Sequence, residues 1–178
     1  MFIGVIRIDL WQTRMYRWAI HLVKIEIRKI LMIAETSKRS GELFKSGYRW
    51  AESVLLSVAE SKNIQSEMIP KISSGFCGGI ARTSGICGAV SGGIMAISLF
   101  YGRSSPDKPI DKSYIPVQKF IKMFESKFGT TNCKQLIGID LGNEEDRKRF
   151  FSENKIEQCR KYVEEATRMV MLIIEEKS

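Results

Sequence analysis

Apolar residues recur at three- and four-residue intervals through most of the chain, the spacing of amphipathic helices. Tyr16, Ile20, Val23, Ile27 and Leu31 form one stripe, with Arg17, Lys24 and Arg28 on another face. A second helix is predicted over about 35–61, hinged near Ser46-Gly47, with Ala51, Leu55, Val58 and Ala59 on its apolar side. Met68-Ile69-Pro70 reads as a turn or short helix, because proline suits a helix start. A further helix is predicted from Tyr114 or Pro116 to Phe128, burying Val117, Phe120, Ile121, Phe124 and Phe128, with Gly129 as its stop. Thr130-Thr131-Asn132 has the composition of a helix cap ahead of Cys133. A short charged helix over 144–151 and a last one over 155–175 follow, the latter burying Tyr162, Ala166, Met169, Val170 and Ile173. No strand-like alternation of useful length occurs. The expected fold is all-α.

The middle of the chain departs from this pattern. Eight glycines fall between Gly75 and Gly102, and residues 83–102 carry no charge. Twenty uncharged residues reach the length of a bilayer span. Half of them, however, are Gly, Ser, Thr or Tyr, without the Leu, Ile and Val density of a spanning helix. Ser84, Gly88, Gly92 and Ala96 make a stripe of small residues, with Gly85, Ala89 and Gly93 making another beside it. Such stripes let helix backbones approach closely. Each helical glycine costs roughly 1 kcal/mol relative to alanine, so close packing must offset it. The architecture expected is a helical bundle around a buried, glycine-rich central helix.

At 178 residues, 44% hydrophobic and 27% charged, the chain suits one globular domain, placed at 32–178. Residues 1–31 form a basic and apolar extension, with Arg7, Arg14, Arg17, Lys24, Arg28 and Lys29 against Asp9 and Glu26. Three readings of it stand: a helix packed on the domain, an amphipathic helix touching a membrane surface, or sequence upstream of a true start at Met32. The formal charge of +8 is compatible with an anionic partner. Nucleic acid is not expected as that partner, since no recognition element concentrates basic and aromatic residues. Charges interrupt the N-terminus too often for a signal peptide, and four widely spaced cysteines do not make a disulfide scaffold. A reducing cytoplasm is the expected location.

Candidate chemistry therefore rests on Cys77, Cys87, Cys133 and Cys159. No Cys-x-x-Cys pair supports a zinc site, and His21 is the sole histidine, so a Cys–His nucleophile lacks its base. Gly75-Phe76-Cys77-Gly78-Gly79 is glycine-rich but lacks the Walker lysine and a preceding strand. Thiol redox chemistry needs a thiolate and a second thiol to resolve a mixed disulfide. Cys133 would sit in the first turn of a helix, where the dipole favours the anion. Cys87 follows Arg82, the only charge between Lys71 and Arg103, and Cys159 is flanked by Arg160 and Lys161. The alternatives are small buried hydrophobes or thiolates converging on a metal or an iron–sulfur cluster.

Cys87-Gly88-Ala89-Val90-Ser91-Gly92 resembles the C-G-A-x-x-G signature of the redox-active protein family named for its C_GCAxxG_C_C pattern. Trp50-Ala51-Glu52-Ser53-Val54-Leu55 is similar to that family's C-A-E-x-V-L helix, and residues 75–82 to its G-F-G-G-G-I-G-R segment. Residues 128–136 resemble its F-G-x-x-x-C-x-x-L, and Cys159 falls where its last cysteine lies. Trp50 replaces the family's first cysteine, and Cys77 stands where a glycine is usual. The resemblance implies a thiol-dependent redox protein, with Cys87 and Cys133 as working thiols and Cys159 as a resolving or third thiol. It also implies a redox partner and points to a transport-related one. A non-catalytic metal or cluster module, or a degenerate helical scaffold, is the alternative.

Overall fold

The computed structural model describes residues 10–176, with side chains from residue 16 onward. Arg7, Asp9 and the Arg14 side chain, which enter the reading of the N-terminal extension, lie outside the described residues. Contacts divide the chain into two compact units, residues 1–32 and 33–178. In the first, the described backbone is helical from Leu10, the start of α1 (Leu10–Lys45). Its apolar stripe is open, with Tyr16, Ile20, Val23, Ile27 and Leu31 all exposed. The expected break between the first two helices does not occur. Nothing between Leu31 and Thr36 stops a helix, and the chain first turns at Ser46-Gly47, where Gly47 takes φ +109°.

In the second unit, α2 (Trp50–Ser61) leads through the 3-10 helix Lys71–Phe76 and the short turn α3 (Cys77–Ile80) to the central helix α4 (Gly88–Tyr101). Then come α5 (Asp111–Phe128), α6 (Cys133–Ile137), α7 (Glu144–Ser152) and α8 (Lys155–Glu175). No strand occurs among the described residues, and the fold is an all-α bundle. Helix α4 packs on α2, α5 and α8 and buries Ala89, Val90, Ala96 and Ile97 completely. Its glycines face its neighbours. A Cβ on Gly92 would lie 2.7 Å from the Ala51 carbonyl oxygen and 2.8 Å from Ala51 Cα, and one on Gly88 2.8 Å from Trp50 Cβ. Gly93 faces the Phe120 ring. Backbone contact between α2 and α4 thus offsets the helical cost of these glycines.

The central helix starts five residues later than the uncharged run suggests. Gly78, Gly79, Ile80, Ala81 and Arg82 all take positive φ, a left-handed turn that leaves Ser84 and Gly85 outside the helix. Non-glycine residues there each cost roughly 1–2 kcal/mol, and β-branched Ile80 is the least expected of them. Helix α5 starts earlier than predicted, because the Ile110 carbonyl accepts from Ser113 and Tyr114 and opens the first turn upstream of Pro116. Phe120 and Phe124 are fully buried, and on α8 Tyr162, Ala166, Met169, Val170 and Ile173 face inward as the spacing predicts. No described helix is long and apolar enough to cross a membrane.

Candidate functional site

The site is built on a meeting of two irregular segments. Ile86 and Asn132 form an isolated antiparallel bridge, with Cys87 N–H donating to Thr131 O and Cys133 N–H to Gly85 O, both at 2.8 Å. Residues on either side of a bridged pair point to the opposite face from it. Cys87 and Cys133 therefore share a face. Asn132 locks the arrangement: its Oδ1 accepts from Gln135 N–H at 3.0 Å, capping α6, and its Nδ2 donates to Ser84 O at 2.7 Å. Gly79 is required beside it. With φ +73° and a hypothetical Cβ only 2.6 Å from Cys133 Cβ, no side chain fits there.

Cys87, Cys133 and Cys159 line one small cavity of about 10 Å³, together with Trp50, Gly78, Gly88, Leu136, Ile137 and Tyr162. That volume is at the lower limit for a single water molecule. Tyr162 closes one side, its hydroxyl donating to Leu136 O at 3.0 Å and accepting from Gln158 Nε2 at 2.7 Å. Trp50 closes another, wedged between the rings of Phe44 and Phe150. Cys77 lies outside this cavity and lines an adjoining cleft that shares Gly78 with it. All four cysteines are free thiols and buried.

Burial dominates their protonation. Cys133 is pushed up to about 12 by desolvation, with Cys87 and the Asp140 carboxylate adding to the rise. Cys159 reaches about 12 by desolvation, opposed by a hydrogen bond from the Trp50 side chain. Cys87 reaches about 11, also by desolvation, with the Ala89 and Val90 N–H groups at the start of α4 pulling it down. The Cys77 thiol is raised by burial, and the backbone N–H groups of Ala51 and Glu52 oppose the rise.

These environments correct three expectations. Cys133 does open α6, but no thiolate is favoured there. The helix has five residues, its first N–H groups already bond to Gly85 O and Asn132 Oδ1, and an acidic side chain stands nearby. Cys87 is not inside the central helix but caps its start. Arg160 does not serve Cys159, because it pairs with Glu157 and Glu164. Two other helix starts do face thiols, that of α4 towards Cys87 and that of α2 towards Cys77, the second pairing hidden by their separation in sequence. Among the described residues no group of three or more His, Cys, Asp or Glu side chains is placed to hold a metal ion.

Residues 48–173, from just before α2 to the last turn of α8, match the family described as "Putative redox-active protein (C_GCAxxG_C_C)". The chain belongs to this family. An uncharacterized protein of Archaeoglobus fulgidus is 32% identical over 126 residues, which cover 65% of this chain and 83% of that protein. No solved structure matches. All four cysteines of this C_GCAxxG_C_C member fall within the matched span. Sequence reasoning missed the second role of Asn132, and it missed Asp140, which accepts from Ser84 Oγ (2.8 Å), Gly142 N–H (2.9 Å) and Lys134 Nζ (3.1 Å). Both hold loops rather than helices, and helical periodicity carries no signal for that.

Proposed function

We propose that this is a cytoplasmic thiol-redox protein in which Cys87 and Cys133 are the working pair and Cys159 is a third, resolving thiol. The observation that carries this reading is the convergence of all three on one small cavity from separate helices. In the proposed cycle the two thiols lose two protons and two electrons and form one S–S bond. A partner disulfide takes both and becomes two thiols. Diagonal neighbours across an antiparallel bridge stand roughly 7–8 Å apart, so a slight approach of the two segments completes the bond. Burial keeps the reduced pair protonated, which restricts exchange to a partner that opens the site.

Diamide treatment of the native protein, followed by digestion without reductant, is expected to yield a peptide linking Cys87 to Cys133, lost again on adding dithiothreitol. Oxidation that links none of the three cavity cysteines, or iron or zinc retained stoichiometrically in anaerobically purified protein, overturns the reading.

The domain is proposed to be residues 32–178, with residues 1–31 an extension. Among the described residues every buried side chain lies at Ile33 or beyond. A chain begun at Met32 is expected to keep a single cooperative thermal transition, with its midpoint within a few degrees of the full chain's. A broad, non-cooperative transition would make residues 1–31 part of the core.

A further inference from the structure

A second, open cleft of about 390 Å³ adjoins the thiol cavity and shares Trp50 and Gly78 with it. Its volume falls in the range of small-molecule sites. Arg49, Arg82 and Arg147 stand around it, Trp50, Leu141 and Phe150 supply apolar surface, and no carboxylate belongs to its lining. The arginine–carboxylate pairs of the described residues involve Arg39, Arg149, Arg160 and Arg168, so the three cleft guanidiniums are not spent on internal ion pairs. One of them is held by backbone: Arg147 Nη1 donates to Leu141 O at 3.1 Å and Gly142 O at 3.0 Å. The left-handed turn over 78–82 brings Arg82 round to the cleft that Cys77 lines. The nearby Glu52 carboxylate is already engaged by Ser74 Oγ (2.5 Å) and Arg49 N–H (2.7 Å). Three guanidiniums over an apolar wall suit carboxylate groups on a small organic body.

We propose that this cleft binds a small disulfide bearing carboxylates, and that Cys77 is the protein thiol that attacks it. The disulfide part rests on the thiol-redox reading above; the anion part does not. The Cys77 thiolate bonds to one sulfur of the ligand, the ligand S–S bond breaks, and its other half leaves as a thiol carrying a proton. Cys87, the neighbour of Gly88, whose Cβ position lies 3.2 Å from Cys77 Cα, then bonds to Cys77 Sγ and releases the second half as a thiol. The ligand has gained two electrons and two protons, the protein has lost them, and exchange with Cys133 carries the S–S bond inward. Cys77 suits the first step because it is the cysteine that lines the cleft, beside Arg49 and Arg82.

Competitive labelling with iodoacetate and iodoacetamide, read at the Cys77 peptide, tests the anion site directly. The iodoacetate-to-iodoacetamide ratio is expected to be about tenfold higher in the native protein than in urea, through local attraction of the anion. Arg49→Gln with Arg82→Gln is expected to remove most of that gain. A ratio unchanged by folding and by the double variant overturns the anion site. Glutathione disulfide is expected to leave its adduct on Cys77 in Cys87→Ala, and none in Cys77→Ser. An adduct first on another cysteine overturns the disulfide assignment. The redox reading fails separately, if Cys77 takes the adduct while diamide never links the cavity cysteines.

Discussion

Gly92→Ala is expected to destabilise the protein by about 1–3 kcal/mol, although alanine is the better helix former by roughly 1 kcal/mol. The added methyl would meet the Ala51 carbonyl oxygen at 2.7 Å, Ala51 Cα at 2.8 Å and Val54 Cβ at 3.0 Å. Two of those atoms are backbone of α2, so relief requires the whole helix to move. Trp50, at the start of α2, walls the thiol cavity, and a displaced α2 would open it. Gly75→Ala is the matched control, since a Cβ there meets nothing within 4 Å and φ is not positive. It should stay within about 0.5 kcal/mol of the parent. Urea unfolding separates the two: the Gly92→Ala midpoint falls with little change in slope. Equal midpoints for both variants would mean that α2 and α4 do not touch through Gly92.

That contact was legible in the sequence as a stripe of small residues, and so were most helices, because apolar spacing reports which face is buried. Helix ends set by loop partners were not. Ser84 and Gly85 extend the stripe, yet the left-handed turn before them ends it, and only the pairing of Ile86 with Asn132 accounts for that backbone. The candidate thiols were legible as positions and their electrostatics were not. Cys133 has the sequence context of an activated thiol, but its helix has used its N–H groups before the sulfur arrives. Cys77 has no such context, yet the start of another helix opposes the rise that burial imposes on it. Local sequence indicates that a helix end exists. Which side chain meets it is decided by packing.

Stability is expected to fall steeply above pH 9, and Cys159→Ala is expected to blunt the fall. An ordinary thiol titrates near 9.0, and in the folded protein Cys87 is raised to about 11 and Cys133 and Cys159 to about 12. Folding therefore holds these protons more tightly than the unfolded chain does. The stabilisation is fully present below pH 9. Between pH 9 and about 12 the unfolded thiols ionise while the folded ones do not, and each such thiol removes about 1.4 kcal/mol per pH unit. Alanine at 159 is small, apolar and does not titrate, so its curve should be shallower by roughly that amount per unit over the same window. Urea midpoints at pH 7, 9, 10 and 11 supply the comparison, and parallel curves would show that Cys159 ionises as readily folded as unfolded. The same protonation sets the order of alkylation at pH 8. A thiol at about 12 has roughly a thousandfold less thiolate than an ordinary one, so Cys133 and Cys159 should label only as fast as the site opens. Cys77, which lines the larger cleft rather than the small cavity, should label first.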